Sequence, residues 1–187
     1  NGAWTVDDAV AALRLMDAAA DGLEYAEQPC ATAQELAVVR RQVDLPIAAD
    51  ESIRRVEDPL RVKQLEAADI AVLKVHPLGG VRSCLRLAEE LGLPVVVSSA
   101  VETSVGLAAG VALAAALPDL PYACGLGTQS LLAGDVTKHP LIPVDGHLEV
   151  RRVEVDEESF AQVAADAETD ERWQRRLSEV SAHDRDR

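Results

Sequence analysis

The chain has 187 residues, enough for one sizeable hydrophobic core or for a large part of a bigger domain. Apolar residues make up 48%, which excludes a disordered chain, and the formal net charge of −14 argues against binding nucleic acid or an anionic membrane surface. The cysteines Cys30, Cys84 and Cys124 have no CxxC spacing, so they predict neither disulfides nor structural zinc and favour a reducing cytoplasm. The longest apolar stretch, residues 105–117, is too short to span a bilayer.

Short apolar runs spaced along the chain predict strands that are buried on both faces. They are Leu23–Glu27, Leu45–Asp50, Ile70–Val75, Pro94–Ser99 and Tyr122–Leu126. Their ends fall roughly 24 residues apart, the length of a compact strand-plus-helix unit.

Helix signals fill the gaps between these runs. In chain order they predict a helix from Thr5 to Gly22, one from Thr32 to Arg41 with a Thr32–Glu35 capping box, one after an N-cap at Asp58, one from Gly80 to Leu91 and one from Thr103 to Leu117. Alternating strands and helices indicate a parallel α/β sheet, either doubly wound or closed as a barrel. Polar residues collect at the C-terminal ends of the strands and no glycine-rich phosphate motif follows any strand, so a (β/α) TIM-type barrel is favoured.

The pattern changes after the predicted fifth strand. Asp145-Gly146 lies between extended runs and predicts a hairpin turn, and the charged C-terminal stretch predicts a surface helix around Trp173 with a frayed end. We therefore predict a partial barrel over residues 1–135, and a return segment with a charged tail over residues 136–187.

Ionisable side chains stand at the ends of three consecutive predicted strands: Glu27, then Asp50 with Glu51, then Lys74. In a barrel these strand ends share one mouth. Carboxylates on adjacent strands suit a hard divalent cation such as Mg²⁺, which prefers oxygen ligands. A lysine close to a cation releases its proton readily. Metal and lysine together therefore predict removal of a proton α to a carboxylate, through an enediolate.

Each of these residues taken singly also has an ordinary structural interpretation. Glu27 is explained as a solvated strand end, Asp50 as a helix cap, and Lys74 as a side chain that reaches out of the barrel. Ser98 and Ser99 are explained as a polar strand terminus. The hypothesis of a metal and proton-transfer site depends on the set as a whole. Three consecutive strands each end in an ionisable residue at the equivalent position, which random placement explains poorly.

Six stretches, in this order, resemble the enolase superfamily and, within it, the dehydratases of the bacterial menaquinone pathway. They are NGAW, EYAEQP, PIAADES, VLKVHPLGG, VVSSAVETSVGLAAG and ACGLGT. The resemblance implies a (β/α)₇β barrel, bound Mg²⁺, and syn elimination of water from a cyclohexadiene carboxylate that carries a succinyl group. A small-molecule carboxylate is thus the implied substrate.

The resemblance also implies a role for each matching residue. Glu27 and Asp50 correspond to two of three metal ligands, and Lys74 to the lysine that faces the enediolate. Asn1 and Glu51 correspond to groups that support these ligands without binding the metal.

The rest of the family's site is matched only in part by this chain. The resemblance implies that Ser98, Ser99 and Gly125 line the pocket for the substrate carboxylate and succinyl group. The family's third ligand is an Asp two positions before the residue matched by Asn1, and its Lys-x-Lys strand and capping domain come earlier still. We therefore expect the chain to be the C-terminal part of a longer enzyme, inactive and poorly soluble without its N-terminal portion.

Two other functions stay open at this point. The same site suits a racemase or epimerase of N-acylated amino acids or dipeptides, which needs a second lysine on the opposite face of the substrate. A non-catalytic fragment with a vestigial site would also have these residues.

Overall fold

The computed structural model describes residues 1–54 and 58–183. One parallel sheet has the strand order β1-β2-β3-β4, with β1 Ala26–Glu27, β2 Ile47–Ala49, β3 Ile70–Lys74 and β4 Val95–Ser98. The helices of these ranges are α1 Val6–Ala20, α2 Ala33–Arg40, α3 Asp58–Gln64, α4 Val81–Leu91, α5 Ser104–Ala116, α6 Glu157–Val163 and α7 Ala167–His183, with a short 3₁₀ helix at Thr128–Leu131. This strand-and-helix alternation confirms the predicted partial barrel.

The helices begin where the sequence places capping residues. The Thr5 hydroxyl accepts a hydrogen bond from the Asp8 N–H at 3.2 Å at the start of α1. Thr32 and Glu35 form both hydrogen bonds of the predicted capping box at the start of α2. At the other end of α4, Gly92 adopts the left-handed conformation (φ 63°) that glycine accepts without strain. Local signals of this kind therefore predicted these ends of α1, α2 and α4 correctly.

The predicted fifth strand is reduced to a single parallel bridge between Gly125 and Ser98. The Gly125 N–H donates to the Val97 carbonyl oxygen at 2.9 Å, and the Ser99 N–H donates to the Gly125 carbonyl oxygen at 3.1 Å. Glycine is a weak strand former, and the segment has glycine at both 125 and 127. The predicted order of units is therefore right, but the fifth strand is shorter than expected.

The strands place alternate side chains on two faces of the sheet. One face packs against the helices and contributes to the main core, which includes Ile47, Ala49, Ala71, Leu73, Val95 and Val97. The opposite face, here called the inner face, carries a smaller cluster of Ala48, Ile70, Val72 and Val96. Tyr25 and Tyr122 pack against this cluster. Their two rings meet edge to face, with centroids 5.3 Å apart.

A return segment after the last bridge packs onto the start of α5. The Asp135 carboxylate accepts a hydrogen bond from the Ser104 N–H at 3.2 Å and one from the Ser104 hydroxyl. The Leu141 N–H donates to the same hydroxyl at 2.7 Å, and both Ser104 and Leu141 are buried. Asp135 thus satisfies an amide that the helix leaves unpaired, and it ties the return segment to the barrel helices.

The C-terminal region follows the sequence signals. Asp145 and Gly146 have positive φ of 50° and 76° between the bridged residues Val144 and His147, which confirms the predicted hairpin turn. The predicted surface helix around Trp173 is α7, while its predicted frayed end, residues 184–187, lies outside the described residues. Among the helices that the structure describes, none is long and apolar enough to cross a membrane.

Replacing Asp135 by alanine should lower the free energy of unfolding by about 1–3 kcal/mol, because it leaves the buried Ser104 amide and hydroxyl without their partner. Urea unfolding at pH 7 measures the loss. Asp166→Ala is the matched control, because Asp166 accepts from the Thr169 N–H at 2.8 Å at an exposed helix start. The control should lose clearly less, because the Asp166 cap is exposed to water. An equal loss in both variants would contradict the stabilising role of the Asp135–Ser104 hydrogen bonds.

Candidate functional site

Three neighbouring strands bring Glu27, Asp50 and Lys74 to one edge of the inner face. Glu27 is the last residue of β1, Lys74 is the last residue of β3, and Asp50 directly follows β2. The parallel pairing of Glu27 with Ala48 aligns these strand ends. Because side chains alternate, Asp50 shares the face of Ala48, and Lys74 shares the face of Val72. The structure therefore brings the three predicted residues together.

Lys74 and Asp50 form a buried ion pair. The Lys74 Nζ contacts both oxygens of the Asp50 carboxylate, and the two side chains are only 10% and 5% exposed. Ala49 of β2 pairs with Ala71 of β3, so Asp50 lies beside Val72, two residues before Lys74. The lysine side chain therefore extends back toward Asp50 across one strand spacing of about 4.8 Å. The sequence predicted a lysine close to a bound cation. In the structure Lys74 lies directly on Asp50, one of the predicted metal ligands.

Glu27 is more exposed than Asp50 but is electrostatically connected to it. Partial burial of the Glu27 carboxyl raises its pKa above the ordinary value of 4.5, and the negative charge of Asp50 raises it further. The positive charge of Lys74 lowers the pKa of Glu27, and the negative charge of Glu51 raises it. The negative charges therefore repel one another at this edge, and a cation would relieve the repulsion.

Glu51 has one satisfied and one unsatisfied carboxylate oxygen. The Asn1 Nδ2 donates to Glu51 Oε1 at 2.8 Å, and the Arg54 Nη2 lies 3.4 Å from the same oxygen. Burial would raise the pKa of Glu51, but the Asn1 hydrogen bond, a backbone hydrogen bond and the Arg54 charge together lower it. Glu51 Oε2 is buried and has no hydrogen-bond partner among the described residues. A buried, charged oxygen without a donor is the kind of group that a nearby cation would stabilise.

The donors at this edge have the right chemistry for a hard divalent cation, but they are incomplete as a site. All are carboxylate oxygens, the ligands that Mg²⁺ prefers. Within residues 1–54 and 58–183, no three His, Cys, Asp or Glu side chains are grouped so that they could hold a metal ion. The carboxylates of this part of the chain therefore fit part of a coordination shell.

Ser98, the last residue of β4, and Ser99, which follows it, lie near Gly125 but differ in their surroundings. Ser98 is half-buried and, by the two-residue alternation, shares the inner face with Val96. The Ser99 hydroxyl donates to the Gly125 carbonyl oxygen at 3.0 Å and lies 2.9 Å from Thr128 Oγ1. A Cβ atom at position 125 would stand 2.9 Å from Ser98 Oγ, so glycine permits this close approach. Ser98 is thus placed at the inner face, whereas the Ser99 hydroxyl bonds to the next loop.

Two polar residues outside the predicted set lie beside it. His76, two residues beyond Lys74, has its Nδ1 2.9 Å from Glu102 Oε1, which links the loops that follow β3 and β4. Gln28 is fully buried directly after Glu27. The sequence did not indicate Gln28 as part of the site. The one available signal was its position directly after Glu27, at the end of a predicted strand.

The cysteines have no disulfide partners in the structure. All three are free thiols, and Cys30 and Cys84 are buried. Burial raises the pKa of Cys84 to about 11, so its thiol stays protonated at neutral pH. Cys84 is therefore unsuited to serve as a nucleophile.

The chain belongs to the family described as enolase C-terminal domain-like, whose family model matches residues 1–158. It is 67% identical over 182 residues to the o-succinylbenzoate synthase of Thermobifida fusca, a match that covers 97% of this chain and 56% of that protein. It is 57% identical over 166 residues to the o-succinylbenzoate synthase of Mycolicibacterium smegmatis, covering 88% of this chain and 51% of that protein. The chain therefore spans about half the length of these curated relatives.

Solved structures agree with this assignment. The muconate lactonizing enzyme from Pseudomonas fluorescens, complexed with muconolactone, is 29% identical with a TM-score of 0.78, covering 86% of this chain and 45% of that chain. The 2-chloromuconate cycloisomerase from Rhodococcus opacus is 30% identical with a TM-score of 0.77, covering 88% of this chain and 47% of that chain. The partial barrel described above therefore has close counterparts within larger enzymes.

Replacing Glu27 by glutamine should make the chain more resistant to urea at pH 7. The raised pKa means that the folded chain keeps the Glu27 proton at pH values where the unfolded chain has released it. Stability therefore falls as the pH rises from about 4.5 through the folded pKa, and it stays lower above that range.

The gain from Glu27→Gln should disappear below about pH 4, where the carboxyl is protonated in both states. Urea midpoints measured from pH 3.5 to 8 test this. Glu89→Gln, on the exposed surface of α4, is the control and should show the wild-type pH dependence. A Glu27→Gln variant that is less stable than wild type at pH 7 would contradict the repulsion.

Replacing Asp50 by alanine should lower the free energy of unfolding by about 3–5 kcal/mol, because it leaves the Lys74 ammonium buried without its counter-charge. The double variant Asp50→Ala/Lys74→Met removes both charges and should be more stable than Asp50→Ala alone. Urea unfolding of the wild type, Asp50→Ala, Lys74→Met and the double variant forms a double-mutant cycle. Additive losses would show that the two side chains do not interact.

Proposed function

We propose that this chain forms part of an o-succinylbenzoate synthase, a carbon–oxygen lyase of menaquinone biosynthesis. The observation that carries the proposal is the buried Lys74–Asp50 pair beside Glu27 on one inner face. The identity of 67% to the Thermobifida fusca synthase supports it. Because the chain spans about half of that relative, the activity is proposed for the complete enzyme, which we expect in the cytoplasm.

Mg²⁺ is the proposed cofactor. Glu27 and Asp50 would hold it, with Glu51 and Asn1 as a hydrogen-bonded pair beside them. The remaining ligand is proposed to come from the part of the enzyme that this chain does not cover. When bound, the ion would stabilise the negative charge that develops on the substrate carboxylate.

Lys74 is proposed to place its ammonium group against the substrate. In the dehydration, a base removes the proton α to the carboxylate and passes it to the neighbouring hydroxyl group. The C–O bond then breaks on the same face of the ring, water leaves, and the new double bond completes the aromatic ring. The ion pair with Asp50 fixes the lysine at the inner face, where little water reaches it. A fixed cation in a dry site stabilises an enediolate more effectively than one in water. The base itself is proposed to lie outside this chain.

The substrate is proposed to be a cyclohexadiene carboxylate with a succinyl group, bound along the inner face. Ser98 and Gly125 would line the pocket, because Ser98 lies at the inner face and the glycine lets its hydroxyl approach the backbone at position 125 closely. Ser99 would act by holding the loop after Gly125. Residues 1–135 would supply this surface, and residues 136–187 would form the return segment and tail.

In the complete enzyme, Lys74→Ala should lower kcat for dehydration about 10²- to 10⁴-fold. Mg²⁺ affinity should not fall, because the change removes a positive charge from Asp50. Steady-state kinetics and titration calorimetry measure the two effects. Lys138→Ala is the control: Lys138 also forms ion pairs, with Asp156 and Glu158, but lies on the exposed surface.

The outcomes separate the competing functions. Wild-type turnover in Lys74→Ala would contradict the proposed role. Deuterium exchange at the α-carbon of an N-acylated amino acid, without dehydration of the cyclohexadiene, would instead indicate a racemase. A complete wild-type enzyme that neither binds Mg²⁺ nor acts on either substrate would indicate a vestigial site.

A further inference from the structure

Gln28 connects the two strand ends that carry the candidate metal ligands. It follows Glu27 directly in the chain, and it is fully buried. Its side-chain oxygen accepts hydrogen bonds from the backbone N–H of Asp50 at 3.0 Å and of Ser52 at 3.1 Å. One side chain therefore joins the backbone after β1 to the backbone after β2.

The amide nitrogen of Gln28 is also fully used. It donates to the Cys30 carbonyl oxygen at 2.8 Å and to the Ser52 hydroxyl at 2.9 Å. A glutamine side chain offers two donors and an oxygen with two lone pairs, so all four of its hydrogen-bonding positions are occupied. A buried polar group satisfied on every side is held in one orientation, and it holds its partners in return.

The backbone of Gln28 is equally constrained. Its φ is 37°, a region that residues other than glycine rarely occupy. Its N–H donates to the Ala48 carbonyl oxygen at 2.9 Å, and its own carbonyl oxygen accepts from the Gly2 N–H at 2.7 Å. An unfavourable backbone conformation persists only where the surroundings enforce it, and here it occurs next to a candidate ligand.

We propose that Gln28 is a positioning residue for divalent-cation binding: it sets the Asp50 carboxylate relative to Glu27 without contacting the ion. The inference rests on the metal site of the proposed function. The residues after β2 have no sheet pairing beyond Ala49 to fix them. The Gln28 side chain supplies that fixation through the Asp50 and Ser52 amides.

The test is Gln28→Met in the complete enzyme. Methionine has a similar length but makes none of the four hydrogen bonds. The Kd for Mg²⁺ should rise about 10- to 100-fold, the usual cost of losing a group that orients a metal ligand. At saturating Mg²⁺, kcat should recover to within about tenfold of wild type, because Lys74 and both ligands remain. Titration calorimetry with Mg²⁺ and steady-state kinetics give these values.

Leu113→Ala is the matched control for lost stability. Leu113 is fully buried in α5, in the helix layer, so its truncation should lower Tm while leaving the Mg²⁺ Kd unchanged. The proposal is overturned if Gln28→Met binds Mg²⁺ within about threefold of wild type. It is also overturned if Leu113→Ala weakens Mg²⁺ binding as much for a similar loss of Tm.

Ser52→Ala decides the question if Gln28→Met does not fold. It removes one of the four bonds, so the Mg²⁺ Kd should rise about threefold with little change in Tm. An unchanged Kd would contradict the proposal. Failure of the proposed function is a separate outcome. A complete enzyme that binds Mg²⁺ but does not dehydrate the substrate would contradict the proposed function, and the Mg²⁺ Kd of Gln28→Met could still be compared with that of wild type.

Discussion

The buried ion pair between Lys74 and Asp50 is the interaction on which the arrangement of the candidate site depends. Neither charge is stable in an apolar barrel interior without the other, because removing an ion from water costs several kcal/mol. The pairing follows from the register of β2 against β3, so a slip of one residue in either strand would turn that strand's charged side chain toward the helices and separate the pair. The main core and the small inner cluster therefore fix the site by fixing the register.

The carboxylates around this pair are arranged for a positive partner. Burial and, after it, the negative charge of Asp50 raise the pKa of Glu27, and Glu51 Oε2 has no partner among the described residues. Asn1, Arg54 and Lys74 compensate the negative charge at this edge only in part. Uncompensated charge lowers stability, and its presence at one strand edge is typical of a site that serves binding rather than folding.

Much of the fold was readable because its signals are local. The Thr32–Glu35 capping box and the hairpin turn at Asp145-Gly146 each depend on a few adjacent residues, and both are present as predicted. The in-phase positions of Glu27, Asp50 and Lys74 could be predicted because each stands at the end of one unit in a regular strand-and-helix repeat. The fifth strand was predicted too long, since an apolar run does not reveal how far a neighbouring ladder extends.

The sequence by itself determined the strand-and-helix order, the family resemblance and the set of ionisable residues at one mouth. Only the tertiary structure decided which of them touch: that Lys74 lies on Asp50, and that Glu51 pairs with Asn1, 50 positions away. It alone showed Gln28 joining two strand ends, because that role depends on a positive φ and on partners contributed by another loop. Contacts between distant residues depend on register and side-chain reach, which local sequence patterns do not encode.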